Sequence, residues 1–188
     1  MSRSDNCHKL QDLHSLSLHH TYKQNKIMET TEQMYPMPRI GDMAPDFTLL
    51  GDEGEVSLSG LKGKKVVLYF YPKDDTPGCT MEAKDFAQRA DDFTKAGAVV
   101  IGISKDNMKS HGKFKEKYCL PFTLVSDFEN DTCERYGVWV QKSMYGKTYM
   151  GINRATFLID ANGKIAKIWP KVKVEGHAEE VLKAAQAL

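Results

Sequence analysis

Short apolar runs alternate with amphipathic stretches along most of the chain, and this alternation restricts the possible folds more than any other feature of the sequence. The run at 66–71 (VVLYFY) is continuous, β-branched and aromatic, which is typical of a strand buried on both faces. Residues 98–104 and 122–126 have the same character. Between these runs, residues 77–96 and 108–118 carry apolar side chains at helical spacing. Strands and helices that alternate in this way form a sheet covered by helices.

The C-terminal part of the chain adds a helix, a hairpin and a second helix to this pattern. A short helix is predicted over about 128–136, and a final helix over 177–187. The runs at 155–160 and 164–169 form a hairpin, because an Asn-Gly turn at 162–163 joins them. The sequence therefore predicts an α/β domain with a central mixed β-sheet flanked by helices on both faces. A thioredoxin-like fold fits this order, and periodicity alone does not distinguish it from other three-layer α/β folds.

The N-terminal segment lacks this pattern. Residues 1–37 are polar and hold four of the six histidines, and the compact pattern begins only near Ile40. We interpret 1–37 as a disordered or weakly helical tail and 38–188 as one domain. An organelle transit peptide is the alternative, because the tail contains serines and is mildly basic, but Asp5 and Asp12 argue against it.

Composition and charge exclude several classes of partner. The chain has 188 residues, 41% of them hydrophobic, which suffices for one sizeable core. Its formal net charge is +1 and the basic residues are scattered, so we expect neither nucleic acid nor membrane as a partner. No apolar run approaches the roughly 18 residues that span a bilayer. A small molecule or a protein thiol is the expected partner.

The four cysteines, at positions 7, 79, 119 and 133, indicate a reducing compartment. They include no C-x-x-C pair and no Cys/His cluster at zinc-ligand spacing, so we expect no structural metal. The first 30 residues lack the apolar core of a secretory signal, which argues against an oxidising compartment and paired disulfides. We therefore expect a cytoplasmic protein.

Cys79 is the residue whose position most strongly indicates chemistry. It follows a predicted strand and a Pro77-Gly78 turn and opens a predicted helix, where unpaired backbone N–H groups and the helix dipole favour a thiolate. A cysteine that is mostly ionised at pH 7 needs about 2.7 kcal/mol of stabilisation. A helix terminus supplies only about 0.3–1 kcal/mol. We therefore expect a fixed cation from elsewhere in the chain.

Four further side chains are candidates for this site, each with a structural alternative. Arg154 stands directly before an apolar strand and is the candidate cation, or else a surface arginine at the strand mouth. Thr76 either turns its hydroxyl toward the thiolate or caps the helix. Pro72 either shields the sulfur or only ends the strand. Glu82 either closes a capping box or holds Arg154 by a charge-assisted hydrogen bond. The alternative for Cys79 is a small buried apolar residue.

The segment 69–82 (YFYPKDDTPGCTME), with Pro72, Thr76 and Cys79 at the same spacing, resembles the active-site signature of the peroxiredoxins. It is most similar to their bacterioferritin comigratory protein or peroxiredoxin Q subfamily. The resemblance covers roughly residues 38–188 and includes the segments 41–47 (GDMAPDF), 102–104 (GIS), 136–139 (YGVW), 144–147 (MYGK) and 151–154 (GINR).

This resemblance implies a thioredoxin-like fold and a peroxidase without a cofactor. Such an enzyme reduces hydrogen peroxide and organic hydroperoxides with electrons from thioredoxin or a similar dithiol. The Cys79 thiolate would attack the peroxide and become a sulfenic acid, while Arg154, Thr76 and the backbone N–H groups around Gly78 stabilise the departing oxygen. The subfamily also implies a monomer.

The chain departs from the family at the resolving cysteine. Many members carry it five residues after the first cysteine, where this chain has Lys84, and others carry it at a position that aligns near Lys115. We therefore expect an external thiol to resolve the sulfenic acid. Cys119 is the second candidate and Cys7 the third, whereas Cys133 fits a core thiol.

Three other functions compete with the peroxidase hypothesis. A dithiol oxidoreductase normally needs a second thiol in a C-x-x-C motif, which Cys79 lacks. A redox-regulated chaperone or interaction protein, in which oxidation of Cys79 triggers assembly, stays an alternative. A cysteine hydrolase needs a histidine base, and the two histidines of the predicted domain, His111 and His177, fit surface or capping positions better.

Overall fold

Nine strands and five α-helices make up the part of the chain that the computed structural model describes, residues 35–188. The strands are β1 (Thr48–Gly51), β2 (Gly54–Ser57), β3 (Lys65–Phe70), β4 (Ala98–Ser104), β5 (Thr123–Ser126), β6 (Trp139–Met144), β7 (Lys147–Ile152), β8 (Ala155–Ile159) and β9 (Ile165–Trp169). The helices are α1 (Pro77–Gln88), α2 (Ala90–Lys95), α3 (Met108–Tyr118), α4 (Thr132–Arg135) and α5 (His177–Ala187). The tail predicted for 1–37 lies almost wholly outside these residues, so its boundary stays a prediction.

Seven strands form one mixed sheet in the order β2-β1-β5-β4-β3-β8-β9. The pairs β3–β4 and β4–β5 are parallel, and the pairs β1–β2, β1–β5, β3–β8 and β8–β9 are antiparallel. The remaining strands, β6 and β7, form a separate antiparallel hairpin. The predicted central mixed sheet is therefore confirmed.

The side chains of β3 alternate between two cores, one on each face of the sheet. Val67 and Tyr69 pack in a core that helices α1, α2, α3 and α5 complete, whereas Val66 and Leu68 pack in a core that includes α4 and the first strands. The helices thus cover both faces, as predicted, but the longer ones all lie on one face. Of the described helices, none has the length and apolar character that crossing a bilayer demands.

The helix predicted over 77–96 is in fact two helices. Arg89, with φ −108° and ψ 10°, leaves the helical conformation and separates α1 from α2. The break lets Phe86 and Phe93 meet in the same core, with ring centroids 5.8 Å apart. Packing of these two rings outweighs the local helical pattern. Gly97 ends α2 as predicted, with φ +71°.

The short helix predicted over about 128–136 begins later than its sequence pattern suggested. The carboxylate of Asp127 accepts hydrogen bonds from the backbone N–H groups of Thr132 and Cys133, at 3.0 and 2.9 Å. These bonds satisfy the first donors of α4, which spans only Thr132–Arg135. A buried side chain from outside the helix therefore fixes its start.

The hairpins β1–β2 and β6–β7 were not predicted. The strands β1 and β2 are only four residues long, and most side chains of β6 and β7 are exposed or half-buried. Side chains of β1 alternate between exposed and buried, but its sequence, TLLG, does not alternate between polar and apolar residues. The other three strands lack a regular alternation of buried and exposed side chains.

Candidate active site

Cys79 is the third residue of α1, directly after the loop that follows the central strand β3. Pro77 occupies the first helical position, where its missing N–H costs nothing. The first intrahelical bond runs from the N–H of Thr80 to the carbonyl of Thr76, at 2.8 Å. The N–H groups of Gly78 and Cys79 precede that bond and lie at the positive end of the helix dipole. The backbone thus supplies two donors beside the sulfur.

The register between β3 and β8 brings Arg154 to the end of the sheet at which the loop to Cys79 begins. Phe70, the last residue of β3, pairs with Ala155, the first residue of β8. Arg154 precedes Ala155 and therefore lies next to the loop that leads to Cys79. Its Nη2 donates to the Cys79 Sγ at 3.1 Å, and the side chain of Arg154 is only 16% exposed. Cys79 itself is 2% exposed. Arg154 is thus a fixed, largely buried cation in direct contact with the sulfur.

Glu82 holds the other end of this arginine. It lies three residues after Cys79 on α1, is 1% exposed, and its Oε2 accepts a charge-assisted hydrogen bond from Nη1 of Arg154. It therefore binds Arg154 and does not close a capping box. Burial raises the pKa of Glu82 to about 7, against the lowering effect of Arg154. Burial disfavours the charge on Arg154, but Glu82 and the Cys79 thiolate outweigh burial and raise its pKa.

The structure accounts differently for Thr76, Pro72 and Gly78. Thr76 is the N-cap residue of α1 by its backbone angles, but its side chain makes no capping bond. Its hydroxyl donates to the carbonyl of Lys73 at 2.9 Å, which leaves the oxygen free to accept a hydrogen bond from a ligand. Pro72 is exposed just beyond the end of β3. A Cβ on Gly78 would lie 3.3 Å from Nη2 of Arg154, so glycine gives the guanidinium room.

Lys142, on β6, is an active-site cation that the sequence analysis missed. Its Nζ donates to the carbonyl of Ile152 at 2.5 Å, and its side chain is half-buried. Burial and the positive charge of Arg154 lower the pKa of Lys142, whereas the Cys79 thiolate opposes them. Lys142 also lines a pocket of about 290 Å³ that opens beside Pro72. Only the fold brings the hairpin to this place, and the sequence carries no signal for it.

The prediction that both histidines of the domain occupy surface or capping positions is wrong. His111 is 1% exposed and binds the carboxylate of Asp74, with 2.9 Å between Nδ1 and Oδ2. His177 is 4% exposed and its Nε2 lies 2.8 Å from the hydroxyl of Thr156. Burial and the charge of Arg154 lower the pKa of His177 to about 4, against the effect of Glu180.

The other described cysteines differ sharply in their surroundings. Cys133 is fully buried in the core on the opposite face of the sheet from Cys79, and burial raises its pKa well above the ordinary value. Cys119 is exposed and caps the C-terminus of α3 with a left-handed backbone, φ +51°. Lys84 faces solvent on α1. Cys7 lies outside the described residues.

The geometry of the site therefore combines one thiol, one arginine and two backbone donors in a largely buried place. A thiolate there has an arginine as its counterion, and an oxygen that approaches the sulfur meets donors from the same groups. Glu82 binds the nitrogen of the guanidinium that does not contact the sulfur, and so orients the arginine. This arrangement suits nucleophilic attack by sulfur on a small, polarisable bond.

Comparison with known proteins agrees with this chemistry. Residues 40–168 match the AhpC/TSA family. Over 144 residues the chain is 61% identical to the putative peroxiredoxin bcp of Coxiella burnetii, covering 76% of this chain and 95% of that protein. The peroxiredoxin Bcp of Bacillus subtilis is 55% identical over 144 residues, covering 76% and 92%.

Solved structures give the same answer for the fold. The bacterioferritin comigratory protein of Xanthomonas campestris, studied for alkyl peroxide reduction, is 40% identical with a TM-score of 0.73, covering 83% of this chain and 98% of that one. A cysteine-to-serine variant of peroxiredoxin Q from Xylella fastidiosa is 38% identical with a TM-score of 0.76, covering 81% and 98%. The thioredoxin-like fold is therefore confirmed. The chain belongs to the AhpC/TSA family, as a peroxiredoxin of the Bcp or peroxiredoxin Q kind, and it is a thiol-dependent peroxidase.

Proposed function

We propose that Cys79 is the thiolate that attacks the peroxide, with Arg154 as its counterion. The observation that carries this proposal is the 3.1 Å contact between Nη2 of Arg154 and the sulfur, inside a site where both side chains are largely buried. A guanidinium in contact with sulfur offers a charge-assisted hydrogen bond, which a helix terminus alone does not. Cys133 has no such cation bound to its sulfur among residues 35–188, and burial raises its pKa, so it is unsuited to this role.

The reaction then proceeds by attack in line with the O–O bond. The sulfur of Cys79 forms a bond with the nearer oxygen, the O–O bond breaks, and the farther oxygen leaves as hydroxide or alkoxide and takes a proton from solvent. In this proposal, Arg154 and the N–H groups of Gly78 and Cys79 stabilise the charge on the oxygens. The hydroxyl of Thr76, which already donates to Lys73, is available to accept the peroxide O–H. The product is a sulfenic acid on Cys79.

An external thiol returns Cys79 to its reduced form in this proposal. The sulfenic acid reacts with the thiol to give a mixed disulfide and water, and a second thiol of thioredoxin or a similar dithiol completes the reduction. Lys84 occupies the place where an intrahelical partner would be, and Cys133 lies in the core across the sheet. A disulfide needs Cα atoms within about 7 Å, so Cys133 is not a partner in the folded protein. Cys119 stays the first internal alternative and Cys7, outside the described residues, the second.

The assay for this proposal couples peroxide consumption to thioredoxin and its reductase. We expect Cys79→Ser to abolish consumption, and Cys119→Ser, the matched control at an exposed cysteine, to keep it. Turnover that survives in Cys79→Ser refutes the assignment of the nucleophile. Loss of turnover in Cys119→Ser, with normal formation of the sulfenic acid, assigns resolution to Cys119 instead.

Disulfide mapping by mass spectrometry after one equivalent of peroxide distinguishes the resolving routes directly. Resolution by an external thiol predicts sulfenic acid on Cys79 without a dominant internal disulfide. A dominant bond between Cys79 and Cys119 contradicts it.

We also propose that the protein works as a cytoplasmic monomer. An exposed free thiol at Cys119 and a nucleophilic thiol at Cys79 both depend on a reducing compartment. Light scattering coupled to gel filtration tests the monomer, and a dimer that persists under reducing conditions contradicts it.

A further inference from the structure

The loop at 72–76, which joins β3 to α1, is fastened through a buried aspartate. The side chain of Asp74 is only 3% exposed. Its Oδ1 accepts a hydrogen bond from the hydroxyl of Tyr71 at 2.7 Å, and its two oxygens lie 3.1 and 2.9 Å from Nδ1 of His111 on α3. Because a carboxylate only accepts, Nδ1 of His111 carries the hydrogen. Asp74 thus joins the loop to helix α3 in the interior of the protein.

The backbone of the same residue is tied to the end of β4. The N–H of Asp74 donates to Oδ2 of Asp106 at 2.8 Å. The same oxygen accepts from the hydroxyl of Ser104, the last residue of β4, also at 2.8 Å. Side chain and backbone of Asp74 are therefore both anchored, by partners from two different elements.

These buried bonds outweigh the cost of burying the charge. Burial raises the pKa of Asp74. The hydrogen bonds from His111 and Tyr71, with the charge interaction with His111, lower it by more than burial raises it, so the pKa lies below the ordinary value. A buried carboxylate that loses its donor has no water to replace it. The charge of Asp74 therefore depends on His111.

The neighbouring residue makes an outer tie of a different kind. The carboxylate of Asp75 binds Nζ of Lys117 at 2.7 Å and the hydroxyl of Tyr118 at 2.6 Å. Both charged groups are about half-exposed, so water competes for each of them. Two adjacent aspartates thus contact the same helix, α3, but only the bond from Asp74 is protected from solvent.

The loop held in this way carries one half of the active site. Thr76 follows Asp74 by two residues, and Cys79 follows it by five, at the start of α1. Arg154 directly precedes β8 and lies outside the loop, and its carboxylate partner Glu82 lies one turn further along α1. A shift of the loop therefore changes the position of Thr76 and the sulfur relative to the arginine. A misplacement of about 1 Å costs on the order of 100-fold in rate.

We propose that Asp74 and His111 are positioning residues of the peroxide site, which hold the 72–76 loop so that Thr76 and Cys79 face Arg154. Neither residue touches the reacting atoms. Both act through the loop. The inference rests on the proposed role of Cys79.

The test compares two matched substitutions on α3. His111→Leu removes the buried tie, and Lys117→Leu removes a donor of the exposed one. For each variant, stopped-flow kinetics give the second-order rate of Cys79 with hydrogen peroxide, and iodoacetamide gives the rate of alkylation. Alkylation needs the thiolate, and therefore the contact of Cys79 with Arg154, but it does not need the hydroxyl of Thr76. A loss of the peroxide rate that exceeds the loss of the alkylation rate therefore reports misplacement of the loop.

We expect His111→Leu to lower the peroxide rate about tenfold and the alkylation rate by less than about threefold, because only the peroxide reaction needs Thr76 as well as the thiolate. Lys117→Leu leaves both rates within about twofold. His111→Gln, whose amide N–H still reaches Asp74, recovers much of the peroxide rate. The double variant Asp74→Ala/His111→Leu loses no more than the larger single loss, because the two residues act as one pair.

Three outcomes overturn the inference: an unchanged peroxide rate in His111→Leu, an equal loss of both rates, or an equal effect of Lys117→Leu. If His111→Leu does not fold, Asp74→Asn takes its place as the variant expected to lose the peroxide rate, with His111→Gln as the conservative variant and Lys117→Leu as the control. Hydrogen exchange of the amides at 74–80 is independent of the chemistry, and His111→Leu accelerates it whereas Lys117→Leu does not. If Cys79→Ser stays active, the proposed function fails, and hydrogen exchange still reports on the loop.

Discussion

The buried carboxylate of Glu82 links the stability of the domain to pH. Its pKa is about 7 in the folded protein and 4.5 in an exposed glutamate. Because the folded value is the higher one, the folded state binds more protons than the unfolded state between these values. The stabilisation is complete below pH 4.5 and is lost as the pH rises through 7. A difference of about 2.5 between the pKa values corresponds to about 3 kcal/mol, of which about 2 kcal/mol falls between pH 5.5 and 8.

The substitution Glu82→Gln isolates this contribution. Glutamine has the same shape, and its Oε1 still accepts a hydrogen bond from Arg154, but it does not ionise. We expect the free energy of unfolding of the variant, relative to the wild type, to rise by about 2 kcal/mol between pH 5.5 and pH 8. His177 and Asp74 also titrate, but they are common to both proteins and cancel in the difference.

Urea denaturation at both pH values and constant ionic strength measures the effect. Glu179→Gln is the control: Lys183 lowers the pKa of this exposed glutamate on α5 below 4.5, so it is ionised in both states at both pH values and its removal leaves the stability difference independent of pH. If the stability difference between Glu82→Gln and the wild type is the same at pH 5.5 and pH 8, Glu82 does not ionise near pH 7 and the reasoning is refuted.

Two further substitutions test the cations around the sulfur. Arg154→Lys should lower the peroxide rate about 100-fold, because one ammonium does not span both Glu82 and the sulfur as the guanidinium does. Stopped-flow kinetics measure this rate, and a loss below about threefold contradicts the prediction. Lys142→Met should lower the same rate on the order of fivefold, because a positive charge near the sulfur is lost. Lys147→Met, at an exposed lysine, is the control. Equal rates in the two variants would exclude a role for Lys142.

The sheet and its helices were predictable because burial on both faces leaves a local trace. The strands β3 and β4 are continuous apolar runs, and α3 has the predicted bounds, residues 108–118. A cation beside Cys79 was expected from chemistry, since a thiolate needs one, and the resemblance to the peroxiredoxins implied that it is Arg154. The distance between the two side chains depends on the register of β3 against β8, which no local pattern specifies.

The buried histidines were not predictable, because their partners come from other elements. A histidine in a polar helix such as α3 is expected on the surface from its local sequence. His111 is buried because Asp74, in the loop after β3, accepts its Nδ1 hydrogen. Lys142 is a similar case, since its hairpin has too little buried alternation to be identified as strands. Long-range polar contacts, unlike apolar periodicity, have no signature over a short window of sequence.

Glu82 lowers the folding stability of the protein while it positions Arg154. Removing a charged group from water is expensive, and a buried ion pair is often no more stable than a well-packed apolar pair. The second oxygen of Glu82, Oε1, has no hydrogen-bond partner within residues 35–188, and its pKa near 7 means that ionisation above neutral pH destabilises the protein. Stability alone would therefore favour an apolar residue one turn after Cys79. A carboxylate there holds Arg154 against the sulfur, so the geometry is best explained by the chemistry at Cys79, with part of the folding free energy given up to fix one guanidinium.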